Sequence, residues 1–162
     1  DLDAGVLLLP LIGLLPADTA RTPGGRRVNV LRPGTPAVYA FRVRFQHAAS
    51  AVRFGMLFKT TTGVELAGAV SAQPAEAIAA VDAGQEVQVR FRFRCLLAPG
   101  TYFTNAGVLG LVGEGEEYLD RRIDVAMFRV MPDPQRLATG HVDLDVRPEF
   151  SLNPAAAMPV SA

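Results

Sequence analysis

Three stretches of the chain alternate between apolar positions and positions that are largely polar or small. A period of two places every second side chain on the same side of a β-strand, whereas a helix would scatter these residues around its axis. The pattern therefore predicts strands with one buried and one solvated face. The apolar positions are Tyr39, Phe41, Val43 and Phe45, then Val52, Phe54, Met56 and Phe58, then Val87, Val89, Phe91, Phe93 and Cys95.

Breaks rich in proline and glycine separate these stretches and two further apolar runs. The punctuation predicts an all-β protein, an antiparallel two-sheet sandwich of Ig-like or jelly-roll type with about eight strands. A jelly-roll order would alter some strand pairs. An Ig-like order puts Tyr39–Gln46 and Val87–Cys95 in one sheet and Val52–Lys59, Thr101–Leu111 and Ile123–Val130 in the other.

The aromatic residues of these strands form the expected core. Tyr102 follows a Pro-Gly turn at the start of a strand, where a sandwich corner can bury its ring while its hydroxyl finds a backbone partner. The residues expected to be largely buried are Tyr39, Phe41, Phe45, Phe54, Phe58, Phe91, Phe93, Tyr102 and Phe128.

The expected domain organisation has three parts: an N-terminal apolar strand and linker at 1–26, the sandwich at 27–150, and a flexible tail at 151–162. The apolar run Val6–Leu15 is too short to cross a bilayer, which takes about 20 residues. It also lacks the basic residues that begin a signal peptide. A buried first strand is therefore the preferred interpretation.

The charge composition is neutral overall but unusual in kind. The 16 basic residues balance 16 acidic ones, so no general field attracts nucleic acid, and we expect no nucleic-acid partner. All the basic residues except Lys59 are arginines. Genomic base composition explains part of this bias; selection for the planar guanidinium, which suits carboxylates, phosphates and aromatic rings, is the alternative.

No constellation of residues indicates catalysis, a metal or a cofactor. The chain has no phosphate-binding loop of the G-x-x-x-x-G-K-[ST] type and cannot hydrolyse ATP by that mechanism. His47 and His141 lack metal-ligand spacing, and the lone Cys95 is expected to point into the core. The acidic cluster of Glu114, Glu116, Glu117 and Asp120 lacks the pattern of a calcium loop and is best explained as a solvated turn.

A ligand face is expected on the outside of the second sheet. Gly55 and Gly107 would leave a depression there, beside an apolar ring and hydrogen-bonding side chains of the kind that line small-ligand sites. The alternative is that the apolar residues of this face cover the core edge or a dimer interface. The expected carbohydrate-binding residues are Lys59, Leu57, Phe103, Asn105 and Arg53.

The outside of the first sheet is expected to carry a ladder of like charges, Arg42 and Arg44 beside Arg90, Arg92 and Arg94. Arginines directly opposite each other repel, so the ladder predicts acidic neighbours, a bound anion or a partner surface, unless the face is simply solvated. The acidic residues Asp143, Asp145 and Glu149 are candidate partners, from the same chain or from a second one.

The segment Gly140–Val146 alternates like a strand and follows a proline-bearing connector at Met131–Leu137. A connector too stiff to fold back favours exchange of this strand with a neighbour, through Val142, Leu144 and Val146, in a homodimer. The alternative is that the segment folds back onto its own sandwich as an edge strand.

Several of these motifs occur together and in a familiar order. The chain has Arg53–Lys59, then Thr62–Leu66, then Ala98–Gly107, and finally Glu117–Arg122 followed by Ile123–Val130. From about Arg27 to Phe150 the arrangement resembles the C-terminal carbohydrate-binding domain of Wzt-type subunits. These are the ATP-binding subunits of ABC transporters that export O-antigen polysaccharide.

The resemblance implies a non-catalytic module that recognises the terminus of a lipid-linked O-antigen polysaccharide and couples chain completion to export. It also implies a homodimer, a membrane-spanning transporter subunit as partner of the full-length protein, and a cytoplasmic location peripheral to the inner membrane. Any ATPase activity would belong to an N-terminal nucleotide-binding domain outside this sequence. The alternative function is a structural or assembly β-sandwich that binds a protein through its arginine-rich face or an edge strand.

Overall fold

The computed structural model describes residues 6–16 and 28–155, and it is nearly all-β. Its one helical element is a single 3₁₀ turn, Pro74–Glu76, in the alanine-rich segment between two strands. The nine strands are β1 Val6–Pro16, β2 Val30–Leu31, β3 Pro36–Phe45, β4 Ala49–Thr60, β5 Glu65–Val70, β6 Ile78–Val81, β7 Glu86–Arg94, β8 Gly100–Val112 and β9 Gly115–Val130.

The strands form two sheets, as the alternating pattern predicted. The smaller sheet has the order β1-β3-β7, and the larger has β2-β9-β8-β4-β5, with β6 paired to β4. The described strands pair antiparallel except for β2, which runs parallel to β9. Each predicted strand lies in the sheet that the Ig-like order assigned to it.

The core between the sheets is dominated by aromatic rings. Phe58 is at its centre, with ring centroids 5.7 Å from Tyr39, 5.0 Å from Phe93 and 5.2 Å from Phe128, all at steep angles. Such edge-to-face contacts add to the stabilisation that burial alone provides. Seven of the nine aromatics expected in the core are at most 4% exposed.

The other two, Phe91 and Phe93, pack against this core but are buried less deeply than the seven. Both lie on β7, the edge strand of the smaller sheet, where no further strand among the described residues covers their outer side. An apolar crevice of about 300 Å³ opens between this edge and β5, the edge of the larger sheet.

Two local predictions are confirmed by side-chain contacts. The Tyr102 ring is buried and its hydroxyl donates a hydrogen bond to the carbonyl of Ala98. Cys95 is 1% exposed, and burial raises the pKa of its thiol.

The arginines of the smaller sheet do not form the expected like-charge ladder. The register places Arg42 opposite Gln88 and Arg44 opposite Glu86, while Arg90 and Arg92 face Ala40 and Val38. Arg44 donates to the carboxylate of Glu86. Like charges are therefore staggered rather than opposed, because the pairing shifts the two arginine runs along the strands.

The segment after β9 forms a single backbone bridge instead of the expected strand. Val142 pairs with Leu97 of the same chain: the Ala98 amide donates to the His141 carbonyl at 2.8 Å and the Asp143 amide to the Leu96 carbonyl at 2.6 Å. Asp145 then has a positive φ of 55°, and residues 146–155 lie exposed. The predicted flexible tail, 151–162, falls partly outside the described residues.

Candidate functional site

The outer face of the larger sheet is a regular grid of cross-strand pairs. Between β4 and β8 the register sets Arg53 opposite Leu109, Gly55 opposite Gly107, Leu57 opposite Asn105, and Lys59 opposite Phe103. Since side chains two residues apart share a face of a strand, all these residues face outwards. The sequence-predicted site residues are thus brought onto one surface.

A groove of about 410 Å³ occupies the middle of this face. The paired glycines form its floor because neither has a side chain to fill the space above the sheet. The residues lining it are Gly55, Met56, Leu57, Glu65, Gly68, Ala69, Val70, Asn105, Ala106, Gly107, Tyr118 and Arg121.

One wall of the groove is the Tyr118 ring. A Cβ atom on Gly107 would lie 2.9 Å from Cε1 of this ring, so the tyrosine packs directly against the glycine backbone. The guanidinium carbon of Arg121 lies 5.1 Å from the ring centroid, within the range of a cation–π contact. Tyr118 is nonetheless 53% exposed, which leaves ring surface available to a ligand.

An ion pair closes one end of the groove. The Arg53 guanidinium donates to both carboxylate oxygens of Glu116, from Nε at 2.8 Å and from the second terminal nitrogen at 2.5 Å, and its Nη1 donates to the Ala72 carbonyl at 2.7 Å. These hydrogen bonds hold the pKa of Glu116 below its ordinary value and raise that of Arg53. Glu116 was expected in a solvated turn; it lies in β9 just after the turn and is still exposed, but its carboxylate is engaged by Arg53.

A second ion pair and a bulge stand at the other end. Lys59 Nζ lies 2.8 Å from Asp124 Oδ1. Between Thr104 and Ala106 the β8–β9 register shifts, so Asn105 faces a stretch with two extra residues. Asp124 has φ of 56° in this stretch, and its amide donates to Asn105 Oδ1 at 3.0 Å. The side-chain oxygen of Asn105 thus accepts the hydrogen bond that a backbone carbonyl would accept in a regular β-ladder.

A sequence comparison with known protein families identifies the family of this chain. The model of the Wzt C-terminal domain family matches residues 21–144, well over half of the chain and including the whole groove. The chain belongs to the Wzt C-terminal domain family. No curated protein sequence matches it.

The fold agrees with this family. The crystal structure of the C-terminal domain of Wzt superposes with a TM-score of 0.74 at 21% identity, covering 91% of this chain and 84% of that one. A Pseudomonas fluorescens alkylpurine DNA glycosylase, AlkC, bound to DNA containing an abasic site analog, gives a TM-score of only 0.46 at 15% identity, over 81% of this chain and 32% of that one. Only the first likeness is close enough to describe the fold.

The residues proposed from sequence occupy different positions in this Wzt-type domain. Leu57 and Asn105 line the groove, whereas Arg53 and Lys59 stand at its two ends in ion pairs. Phe103 faces Met127 of β9 and does not line the groove. Asn105 is only 5% exposed, so it supports the bulge as well as lining the groove.

Sequence reasoning missed two walls of the groove, one formed by Tyr118 and Arg121 of β9 and the other by Gly68–Val70 of β5. The hairpin turn at Gly113-Glu114 could have indicated the first. It pairs Val112 with Gly115, and three residues further along each strand the same register pairs Leu109 with Tyr118. The β5 wall has no comparable signal, since Gly68–Val70 does not alternate between polar and apolar residues.

Neither a metal site nor a membrane helix is found in the parts of the chain that the structure describes. Their His, Cys, Asp and Glu side chains form no group of three or more suited to a metal ion. Within the same residues, no helix has the length and apolar character needed to span a bilayer.

Proposed function

We propose that this domain is a non-catalytic carbohydrate-binding module that recognises the terminus of a lipid-linked O-antigen polysaccharide and couples chain completion to export by an ABC transporter. The observation that carries the proposal is the glycine-floored groove with the exposed Tyr118 ring as its wall. Family membership supports the same role.

The groove has the surfaces that a sugar requires. The apolar face of a pyranose packs on an aromatic ring, and Tyr118 offers one at the side of the floor. The Asn105 oxygen is engaged by Asp124, but its amide nitrogen makes no hydrogen bond to a described residue and is a donor for a sugar hydroxyl. Glu65 contributes carboxylate oxygens as acceptors. A wrong sugar would leave such groups unpaired, which provides specificity.

Substitution at Gly55 tests the site directly. A Cβ atom there would meet only the Ala69 carbonyl, at 3.8 Å, and its φ is not in the left-handed region. Gly55→Val should therefore fold normally while filling the floor. We expect it to abolish binding in a glycan array or by NMR titration with the cognate polysaccharide.

Gly115→Val is the matched control, because this glycine lies in the same sheet with open space around its Cβ position and outside the groove lining. Binding by Gly55→Val at the native level would contradict the proposed site. Phe103→Ala measures its extent: weaker binding would mean that the glycan reaches past Lys59 towards Phe103 and Met127.

The remaining partners are proposed from family membership. The full-length protein would act on the cytoplasmic side, peripheral to the inner membrane, with a membrane-spanning transporter subunit and a nucleotide-binding domain outside this sequence. The isolated domain is then expected to show no ATP turnover above a mock preparation. Turnover that purifies with the domain would contradict a purely binding role.

We also propose a homodimer in which the whole segment Gly140–Val146 passes to a second copy and makes there the Leu97–Val142 pair that it makes within one chain in this structure. The same register, continued along β7 of the second copy, sets Leu144 opposite Cys95 and Val146 opposite Phe93, over the apolar crevice. Asp145 then meets Arg94, and Glu149 meets Arg90.

Pro148 agrees with this pairing. The hydrogen bonds at Leu96 and Ala98 make Leu97–Val142 a non-hydrogen-bonded pair, and counting in steps of two puts Pro148 at the same kind of position. Its missing N–H would point away from β7, as an edge strand allows. In the single chain the same residues are exposed, Leu144 at 78% and Val146 at 71%.

Sedimentation tests the dimer. The full domain should be a dimer at micromolar concentration, and a chain ending after Asp133 should be a folded monomer. Replacing Leu144 and Val146 by Asn should also give a monomer. Leu152→Asn, at a leucine that is 90% exposed, should not. A full domain that sediments as a monomer would rule the exchange out.

A second candidate function is binding of a protein strand at the same edge. It is favoured by the open edge of β7 and by Arg90, Arg92 and Arg94, which have no ion-pair partner among the described residues. In that case the monomeric domain would capture an extended acidic peptide, and Gly55→Val would have no effect on the capture.

A further inference from the structure

Two cations of the groove face are already neutralised by carboxylates. Arg53 is paired with Glu116 and Lys59 with Asp124. Arg121 has no carboxylate within 4.0 Å among the described residues, although it lines the groove. It is the groove-lining cation with charge left to offer.

The Arg121 guanidinium is also held in place. Its guanidinium carbon lies 5.1 Å from the centroid of the Tyr118 ring. This contact holds the guanidinium group beside the ring on which a sugar would stack. A stacked guanidinium keeps its N–H edge free, so it can still donate a bidentate pair of hydrogen bonds. The site therefore combines a ring for stacking with a directed pair of donors next to it.

The acidic residue of the lining, Glu65, does not cancel this charge. Arg121 is in register with Gly107 and Gly55, and Glu65 is in register with Lys59. By strand geometry the two backbone positions are about 13 Å apart along the strands and about 14 Å apart across them. They stand at opposite corners of the groove, and Lys59 lies beside Glu65.

We propose that the groove takes an acidic sugar, with an oxyanion, a carboxylate or a phosphate, bound by Arg121 while the sugar ring stacks on Tyr118. This rests on the proposed carbohydrate-binding function and specifies the chemical class of its ligand. Glu65, at the far corner, faces hydroxyl groups of the next sugar and disfavours a second negative charge there.

Matched pairs of small ligands test this proposal. Methyl glucuronide against methyl glucoside tests the carboxylate, and glucose 1-phosphate against glucose tests the phosphate, with affinities from NMR chemical-shift titrations of the whole domain. We expect at least one acidic probe to bind about tenfold more tightly than its neutral partner, as a charge-assisted hydrogen bond allows. The preference should shrink as salt is raised.

The variant Arg121→Gln should bring the ratio of the acidic to the neutral affinity down to about one, because the two probes of a pair differ only in the group that Arg121 binds. Arg122→Gln is the control, because it removes an adjacent arginine that is already paired and is not part of the lining. Arg121→Lys keeps the charge without the planar fork, and we expect an intermediate preference.

These experiments distinguish a wrong role for Arg121 from a wrong carbohydrate-binding function. If neutral probes bind as tightly as acidic ones, and Gly55→Val abolishes both, the groove is a carbohydrate site and the role of Arg121 is wrong. If no probe and no polysaccharide binds in a Gly55-dependent manner, the carbohydrate function itself fails. If Arg122→Gln removes the preference as Arg121→Gln does, a general field replaces the specific contact, and the proposal is also overturned.

Discussion

The two faces of the larger sheet come from the same strands but are built by opposite means. On the inner face, β4 contributes Phe54 and Phe58 to a closely packed group of rings with no charged side chain. On the outer face, the residues that alternate with them are Arg53, Gly55, Leu57 and Lys59, and the two charged ones are held in ion pairs. Apolar burial stabilises the first face, whereas the second leaves space open.

Stability and ligand access are therefore provided by alternate residues of one strand. A filled face gains stabilisation from every ring that it buries. A face kept open by glycines contributes little to the core, so substitutions there can change binding without unfolding the protein. The separation should be visible as a large difference in the cost of substitutions one residue apart.

The strongest test of that separation is Phe58→Ala against Leu57→Ala. Phe58 contacts three other rings at the centre of the core, and its truncation should lower the free energy of unfolding by about 3–5 kcal/mol. Leu57 is half-buried in the groove, and its truncation should cost about 1 kcal/mol or less. Guanidinium denaturation of both variants measures the contrast, and equal losses would mean that the outer face also carries the core.

The second test uses the Tyr39 hydroxyl, which donates to the Asn105 carbonyl at 3.3 Å and so joins the core to the groove floor. Burial raises the pKa of Tyr39 to about 12. The unfolded chain releases this proton near pH 10, so stability should fall as pH rises from about 10 to about 12, by about 2–3 kcal/mol. Tyr39→Phe should lack that component, and an identical alkaline profile would contradict it.

The third test concerns Asn105, an outward residue that is buried like a core residue. Asn105→Ala removes the acceptor of the Asp124 amide and leaves the positive-φ bulge without its partner, which should cost about 1–2 kcal/mol. Asn105→Asp keeps an acceptor oxygen and should be closer to the native stability. If the alanine variant is as stable as the native protein, the bulge is held by its strands alone.

The smallest expected effect is that of the Arg53–Glu116 pair. Because the arginine holds the pKa of Glu116 low, the pair should stabilise the fold above the ordinary range of a glutamate and lose this effect as pH falls through the lowered pKa. The urea midpoints of native protein and Glu116→Gln should therefore differ at neutral pH and converge as the pH falls through the lowered pKa of Glu116. A difference that grows in acid would reverse the assigned sign.

Much of this architecture follows from the period-two pattern, because that pattern depends on side-chain burial alone. The pattern located the strands, and the Ig-like strand order then assigned β3 and β7 to one sheet and β4, β8 and β9 to the other. Together they predicted that Gly55 and Gly107 lie on one face. The long β8–β9 hairpin was harder to predict. Its two register shifts decide where Asp124 and Arg121 stand, and bulges leave no mark in hydrophobic alternation.

The hydrophobic pattern also could not predict how deeply residues at the sheet edge are buried. Phe91 and Phe93 alternate as regularly as Phe54 and Phe58. Their rings nevertheless remain partly exposed, because β7 has a neighbour on one side only among the described strands. Alternation tells which side of a strand is apolar, but the number of neighbouring strands depends on the topology. The stagger of the arginines depends on the register in the same way.

The two floor glycines differ in how freely they can change. At Gly55 a methyl group has room, since its nearest contact would be 3.8 Å away, whereas at Gly107 it would press on the Tyr118 ring at 2.9 Å. A lineage adapting to a different polymer could therefore adjust the depth of the recess one atom at a time through Gly55. A change at Gly107 would displace the aromatic wall in the same step, so those two positions should diversify together.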